Sequence, residues 1–189
     1  MTTIGVILAS TRPGRKGEAV ARWVLDEAGR RDDARFELVD LAEHHLPAVD
    51  EPFPPALGRY TLEHTRAWAE TVARYDGYVF VTPEYNHALP GGLKNALDRV
   101  YAEWNTKAAG IVSYGVEGGI RAAEQLRLVL GALRVADVGP HVALNIFTDM
   151  DPGDRHRAAL TTMLDDVVSW SAALAPIRAA AEKPLRASA

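Results

Sequence analysis

Five short apolar runs alternate with segments of helical period along this chain, and no other feature limits its fold as tightly. The runs are Ile4 to Ala9, Phe36 to Leu41, Tyr78 to Thr82, Gly110 to Tyr114 and His141 to Phe147. The first, third and fourth are almost wholly apolar, which suits parallel strands covered on both faces. Phe36-Glu37-Leu38-Val39-Asp40 and Leu144-Asn145-Ile146 admit polar residues, which suits sheet edges. Between the runs, Val20, Trp23, Val24 and Ala28 share one helical face. So do Leu126, Val129, Leu130 and Leu133, and later Leu160, Met163, Leu164, Val167 and Val168. The longest stripe, Leu93, Ala96, Leu97, Val100, Tyr101 and Trp104, predicts one helix from Leu93 to Trp104. A weaker helical segment runs from Leu62 to Val72.

Strands separated by helices imply an α/β fold: an open, doubly wound parallel sheet with helices on both faces. Right-handed crossovers, with the second and fifth strands at the edges, predict five strands in the order 2-1-3-4-5, the flavodoxin-like arrangement. A chain of 189 residues fits one domain, here 1–175, and the Ala- and charge-rich stretch 176–189 is expected to fray. Leu46 to Gly58, with its four prolines, is a loop within that domain.

Composition removes several function classes. Cysteine is absent, which excludes disulfides, thiol catalysis and thiolate-bound metal. The six histidines lack ligand spacing, so no metal site is expected. A net charge of -4 without a basic stripe argues against nucleic acid as a partner. Neither a signal-peptide pattern nor a run of membrane-spanning length appears, so a cytoplasmic protein without a membrane partner is expected.

In such a sheet ligands bind beyond the carboxyl ends of the strands, where the order reverses. The loop after the first strand, Ser10-Thr11-Arg12-Pro13-Gly14-Arg15-Lys16-Gly17-Glu18, opens a helix. It combines helix-start amides, two hydroxyls and three cations, a seat for a terminal phosphate. Neither the P-loop spacing nor G-x-G-x-x-G is present, which favours a monophosphate over a pyrophosphate. The competing reading is a solvated basic turn. After the third strand comes Pro83-Glu84-Tyr85-Asn86-His87-Ala88-Leu89-Pro90-Gly91-Gly92, stiffened by proline and loosened by glycine. After the fourth comes Ser113-Tyr114-Gly115-Val116-Glu117-Gly118-Gly119. Backbone amides and aromatic edges from these two loops suit a flat heterocycle. A phosphate at one end and a planar ring at the other match the outline of FMN.

These motifs resemble the NAD(P)H-dependent FMN reductases, a flavodoxin-like family with azo, quinone and chromate reductase members. The resemblance spans about Ile4 to Phe147. It rests on Pro83-Glu84-Tyr85-Asn86, Pro90-Gly91 and Leu93-Lys94-Asn95-Ala96, and on Ser10-x-Arg12 with Arg15. Glu103-Trp104-Asn105, Lys107 and Ser113-Tyr114-Gly115 match one branch. The resemblance implies that Ser10, Arg12 and Arg15 hold the FMN phosphate with the amides near Lys16, Gly17 and Glu18. Pro83, Glu84, Tyr85 and Asn86 would line the ring, and Ser113, Tyr114 and Gly115 would close its other edge. It further implies ping-pong transfer of hydride from NADPH or NADH through bound FMN to a small acceptor: free flavin, quinone, azo compound or metal oxyanion. No protein side chain is expected to act as a catalytic acid or base, because the flavin carries the chemistry. A homodimer or homotetramer is implied, with the Leu93 helix contributing to the contact. Two departures stand out: Ala9 replaces a usual glycine, and Val116-Glu117 stands where a further glycine is frequent. The alternative is a flavodoxin-type carrier that binds FMN without oxidising NAD(P)H.

Overall fold

The computed structural model describes residues 1–181, in which β1 (Thr2–Leu8), β2 (Ala34–Asp40), β3 (Gly77–Pro83), β4 (Ala108–Gly115) and β5 (Ala136–Asn145) form one sheet. The order is β2-β1-β3-β4-β5 and every pairing is parallel, as the apolar runs predict. β3 and β4 are buried along their whole length, whereas β2 and β5 mix buried with partly exposed positions. Helices α1 (Gly17–Ala28) and α5 (Arg157–Ala181) cover one face. Helices α2 (Glu63–Ala73), α3 (Gly91–Arg99) and α4 (Ile120–Ala132) cover the other. The chain leaves β1 outward to β2 and returns to β3 on the opposite side of β1, so the loops after β1 and β3 diverge around a crevice.

Two expectations change. The stripe from Leu93 to Trp104 is not one helix: α3 stops at Arg99, Val100 is extended at φ -134° and ψ 159°, and Ala102–Trp104 form a short 3-10 turn. The break follows from what its residues must reach. Arg99 is buried and donates to Asp50, Thr65 and the Pro47 carbonyl, pinning the proline-rich loop to the helix end. Trp104 turns into an aromatic cluster with Trp68, Tyr78 and Phe80, at ring separations of 6.1, 4.9 and 6.2 Å. Leu93, Leu97, Val100 and Trp104 are all buried within the protomer, so that apolar face is not available to a second copy. Secondly, α5 passes through Pro176 and continues to Ala181, where 176–181 was expected to fray. Arg178 ties this end to Asp76 and to the Thr106 carbonyl. Residues 182–189 of the expected tail lie outside the described residues. No helix among the described residues is long and apolar enough to cross a membrane.

Trp68 is the anchor of the α2–α3 side: it is buried, its indole N–H donates to the Ala96 carbonyl at 2.8 Å, and His44 packs edge-on against it at 4.8 Å. Trp68→Ala is therefore expected to cost about 3–5 kcal/mol in urea unfolding, the usual cost of emptying an aromatic core site. Leu128→Ala, at a side chain 77% exposed, should cost less than about 0.5 kcal/mol in the same assay.

Candidate functional site

A cleft of about 390 Å³ opens beyond the carboxyl ends of β1, β3 and β4. Nine of the thirteen expected site residues line it: Ser10, Arg12, Arg15, Lys16, Pro83, Glu84, Tyr85, Tyr114 and Gly115. Gly17, Glu18, Asn86 and Ser113 do not, and each has a structural task nearby.

The first loop supplies the cationic end. Arg12 is exposed, and its guanidinium makes no hydrogen bond or ion pair with any described residue. The backbone amides of Thr11, Arg12 and Lys16 likewise donate to no described group in ordinary geometry. Lys16 Nζ rests on the Ile146 carbonyl at 3.2 Å. Gly17 is required by crowding: a Cβ there would lie 2.5 Å from the Tyr114 hydroxyl. Burial pushes the Tyr114 phenol up, so it stays neutral beside the amides. Ser10 Oγ and the Tyr85 hydroxyl are 2.8 Å apart, which joins the first loop to the second across the cleft.

Arg15 is committed differently from the expectation. Its guanidinium makes a two-pronged pair with the buried Asp40 at the end of β2 and donates to the Ser10 carbonyl at 2.7 Å. Its Nε binds Glu18 at 3.0 Å. Most of its donors are thus taken up by Asp40, Ser10 and Glu18, which fix the guanidinium at the edge of the cleft. Asp40 in turn accepts the Ala42 amide at 2.9 Å. Nothing in the spacing of the first loop pointed to Asp40, which lies on another strand.

The second loop is a two-residue hairpin. Tyr85 and Ala88 exchange amide-to-carbonyl bonds of 3.0 Å, with Asn86 and His87 at φ 51° and 64°. Positive φ at both central residues is the I′ turn, in which asparagine is favoured. Asn86 thus sits at the exposed apex and shapes the turn. Glu84 lines the cleft and also accepts the amides of Arg121 and Ala122 at 3.0 and 3.4 Å. Those are orphan donors at the start of α4, whose own cap residue, Gly119, has no side chain to serve them.

The third loop is held from beneath. Ser113 is fully buried; its hydroxyl donates to the Gly118 carbonyl at 2.6 Å and lies 3.1 Å from His141 Nε2. Gly119 adopts φ 71°, and a Cβ there would come within 2.9 Å of the Tyr114 backbone. Four lining residues were absent from the expected set: Pro13 and Gly14 within the first loop, and two further walls, Val116 and Ile146. Ile146 belongs to a fourth loop, after β5, organised by Asn145 and by the buried Asp149. The only sequence trace of that loop was the polar Asn145 in an otherwise apolar run.

Sequence comparison supplies the family. The chain matches the NADPH-dependent FMN reductase profile over residues 2–149. It belongs to that family. It is 46% identical over 143 residues to an NAD(P)H-dependent FMN reductase of Schizosaccharomyces pombe, covering 74% of this chain and 72% of that protein. A quinone reductase of Escherichia coli is 35% identical over 132 residues, 66% of each chain. Among solved structures, the flavoenzyme FerB, an NAD(P)H:(acceptor) oxidoreductase of Paracoccus denitrificans, shares the fold with a TM-score of 0.72 at 21% identity. It covers 92% of this chain and 98% of its own. This family member is an NAD(P)H- and FMN-dependent oxidoreductase.

Two outcomes follow for the site. Arg15→Ala leaves Asp40 buried without its partner, so it should lower stability by about 3 kcal/mol or more, read as a shifted urea midpoint. Arg15→Lys keeps the charge but not the fork and should recover only part of that loss. Burial also lowers the His141 pKa, with Arg127 adding repulsion. A depressed imidazole pKa means the unfolded chain binds the proton first. The stability tied to neutral His141 is therefore complete above the ordinary imidazole value of about 6.5 and is lost as pH falls through the lower folded value. Thermal unfolding at pH 7.5 and 5.5 should show that loss, and His141→Gln should flatten it.

Proposed function

We propose that this cleft holds FMN, with the phosphate on the first loop and the ring between the second and third. The observation that carries the reading is an unspent donor set on residues lining the cleft: the Arg12 guanidinium and the amides of Arg12 and Lys16, which have no partner among the described residues. Such a set fits a doubly charged monophosphate at a helix start. The other end fits a flat ring, because Pro83, Tyr85, Tyr114, Gly115 and Val116 offer backbone and apolar edges there.

When bound, FMN supplies hydride acceptance and donation; the protein's part is binding, orientation and electrostatics. The first loop anchors the charged tail, and Arg15 keeps the Ser10 carbonyl turned toward itself. Tyr85 and Tyr114 line the cleft as walls, and neither is assigned proton transfer because the flavin carries the chemistry. The rim beyond the ring end is apolar and open, with Val116 60% and Phe147 74% exposed. One such opening serves donor and acceptor in turn, which is the basis for a ping-pong reaction from NAD(P)H to a small planar acceptor of quinone type. A homo-oligomer belongs to this reading, a second copy covering the apolar rim rather than the buried stripe of α3.

Purified protein should therefore carry or take up FMN, and anaerobic NADPH should bleach the visible absorption of the bound flavin. A bound flavin that NADPH and NADH leave oxidised would support a carrier instead. Arg12→Ala should weaken FMN binding about tenfold or more, from the loss of roughly 1.5–3 kcal/mol of charge-assisted hydrogen bonding. Riboflavin, which lacks the phosphate, should bind the variant and the parent alike in fluorescence titration. Equal loss for both ligands would take Arg12 away from the phosphate.

A further inference from the structure

Gly115 to Gly118 form a β-turn, closed by the Gly118 amide on the Gly115 carbonyl at 3.2 Å. Its central peptide joins Val116, which lines the cleft, to Glu117. In a turn of this kind the central peptide has two orientations, and the second needs positive φ at its following residue. Glu117 is not among the residues with positive φ, so the first orientation is present. The side chain of Asn145, reaching across from the end of β5, donates Nδ2 to the Val116 carbonyl at 2.7 Å.

Asn145 is itself immobilised on every side. Its Oδ1 accepts the Phe147 amide at 2.8 Å, and its own amide donates to Asp149 at 2.9 Å. Its carbonyl accepts the Asp149 amide at 2.9 Å. Asp149 is buried and is also bound by Arg155 at 2.8 Å and Thr148 at 3.1 Å. The peptides are trans, so the Glu117 N–H points opposite to the Val116 carbonyl and hence away from Asn145. That N–H donates to no described group.

We infer that Asn145 is a positioning residue that locks the Val116–Glu117 peptide so that the Glu117 N–H is reserved for the flavin ring. The inference rests on the cleft being the FMN site. A fixed donor favours whichever state of the ring carries more negative charge, and negative charge gathers on the ring upon reduction. Asn145 thereby raises the affinity for reduced over oxidised flavin without touching the cofactor. The choice of glutamate rather than glycine at position 117 acts in the same sense, because glutamate resists the alternative orientation.

The test is the midpoint potential of the FMN-loaded protein with Asn145→Leu, which has similar bulk and no donor. Expected is a roughly tenfold fall in the ratio of reduced to oxidised flavin affinity, equivalent to about 30 mV for a two-electron couple. Equal weakening of both oxidation states, with the potential unmoved, would mean a structural role only and overturns the inference. Should Asn145→Leu fail to fold, Asn145→Ser replaces it with the same criterion. Independently, amide exchange at Glu117 in the parent protein should be fast without FMN and slowed by it; an amide that FMN leaves unprotected overturns the inference too. A parent protein that takes up no FMN overturns both this and the proposed function, whereas a loaded parent with an unmoved variant sinks only the role of Asn145.

Discussion

The structure depends on keeping three inner strands dry. Every amide and carbonyl of β3 must find its partner in β1 or β4, because helices seal both faces and leave no water to serve instead. That requirement commits the chain to five helices on two faces and forces the connections to the sheet's ends. It also leaves the margin where the strands stop and their loops part as the place where such sheets usually take ligands. The cleft lies at that margin, beyond the ends of β1, β3 and β4.

At that margin the loops are rigid for reasons that have little to do with a ligand. The first is strapped to β2 by Arg15 and Asp40, the second is a hydrogen-bonded hairpin, and the third is fastened from below by Ser113 and from the side by Asn145. Several of their polar groups are occupied: Arg15 by Asp40, Glu84 by the Arg121 amide, Ser113 by the Gly118 carbonyl and the Val116 carbonyl by Asn145. Among the described residues, the Arg12 guanidinium and the Arg12 and Lys16 amides at the cleft have no partner. Preorganised donors of this sort cost no rearrangement when an anionic group arrives. The oxidoreductase chemistry of the family thus falls on a scaffold that contributes electrostatics and shape.

Much of this was legible before any coordinates. The order of the strands followed from which apolar runs admitted polar residues, and the three loops at the switch point followed from the order. Ser10, Arg12, Tyr85 and Gly115, nominated from their types and loops, all line the cleft. Other assignments went astray where sequence spacing is blind. Helical period persisted from Leu93 to Trp104 although the helix stops at Arg99, since residues packed into one core repeat similarly whether the backbone coils or breaks. Likewise the pairing of Arg15 could not be read from its basic loop, since the carboxylate that binds it is 25 positions away.

By itself the sequence determined the parallel sheet, the two-faced coverage and the margin on which a ligand must sit, because periodicity and apolar runs are local properties. It determined the donor types of the first loop as well. Tertiary structure alone decided which donors stay free. Whether a guanidinium, amide or hydroxyl is spent depends on partners from distant strands, such as Asp40 for Arg15, Gly118 for Ser113 and Asn145 for Val116, and a distance between remote residues leaves no periodic trace in the chain.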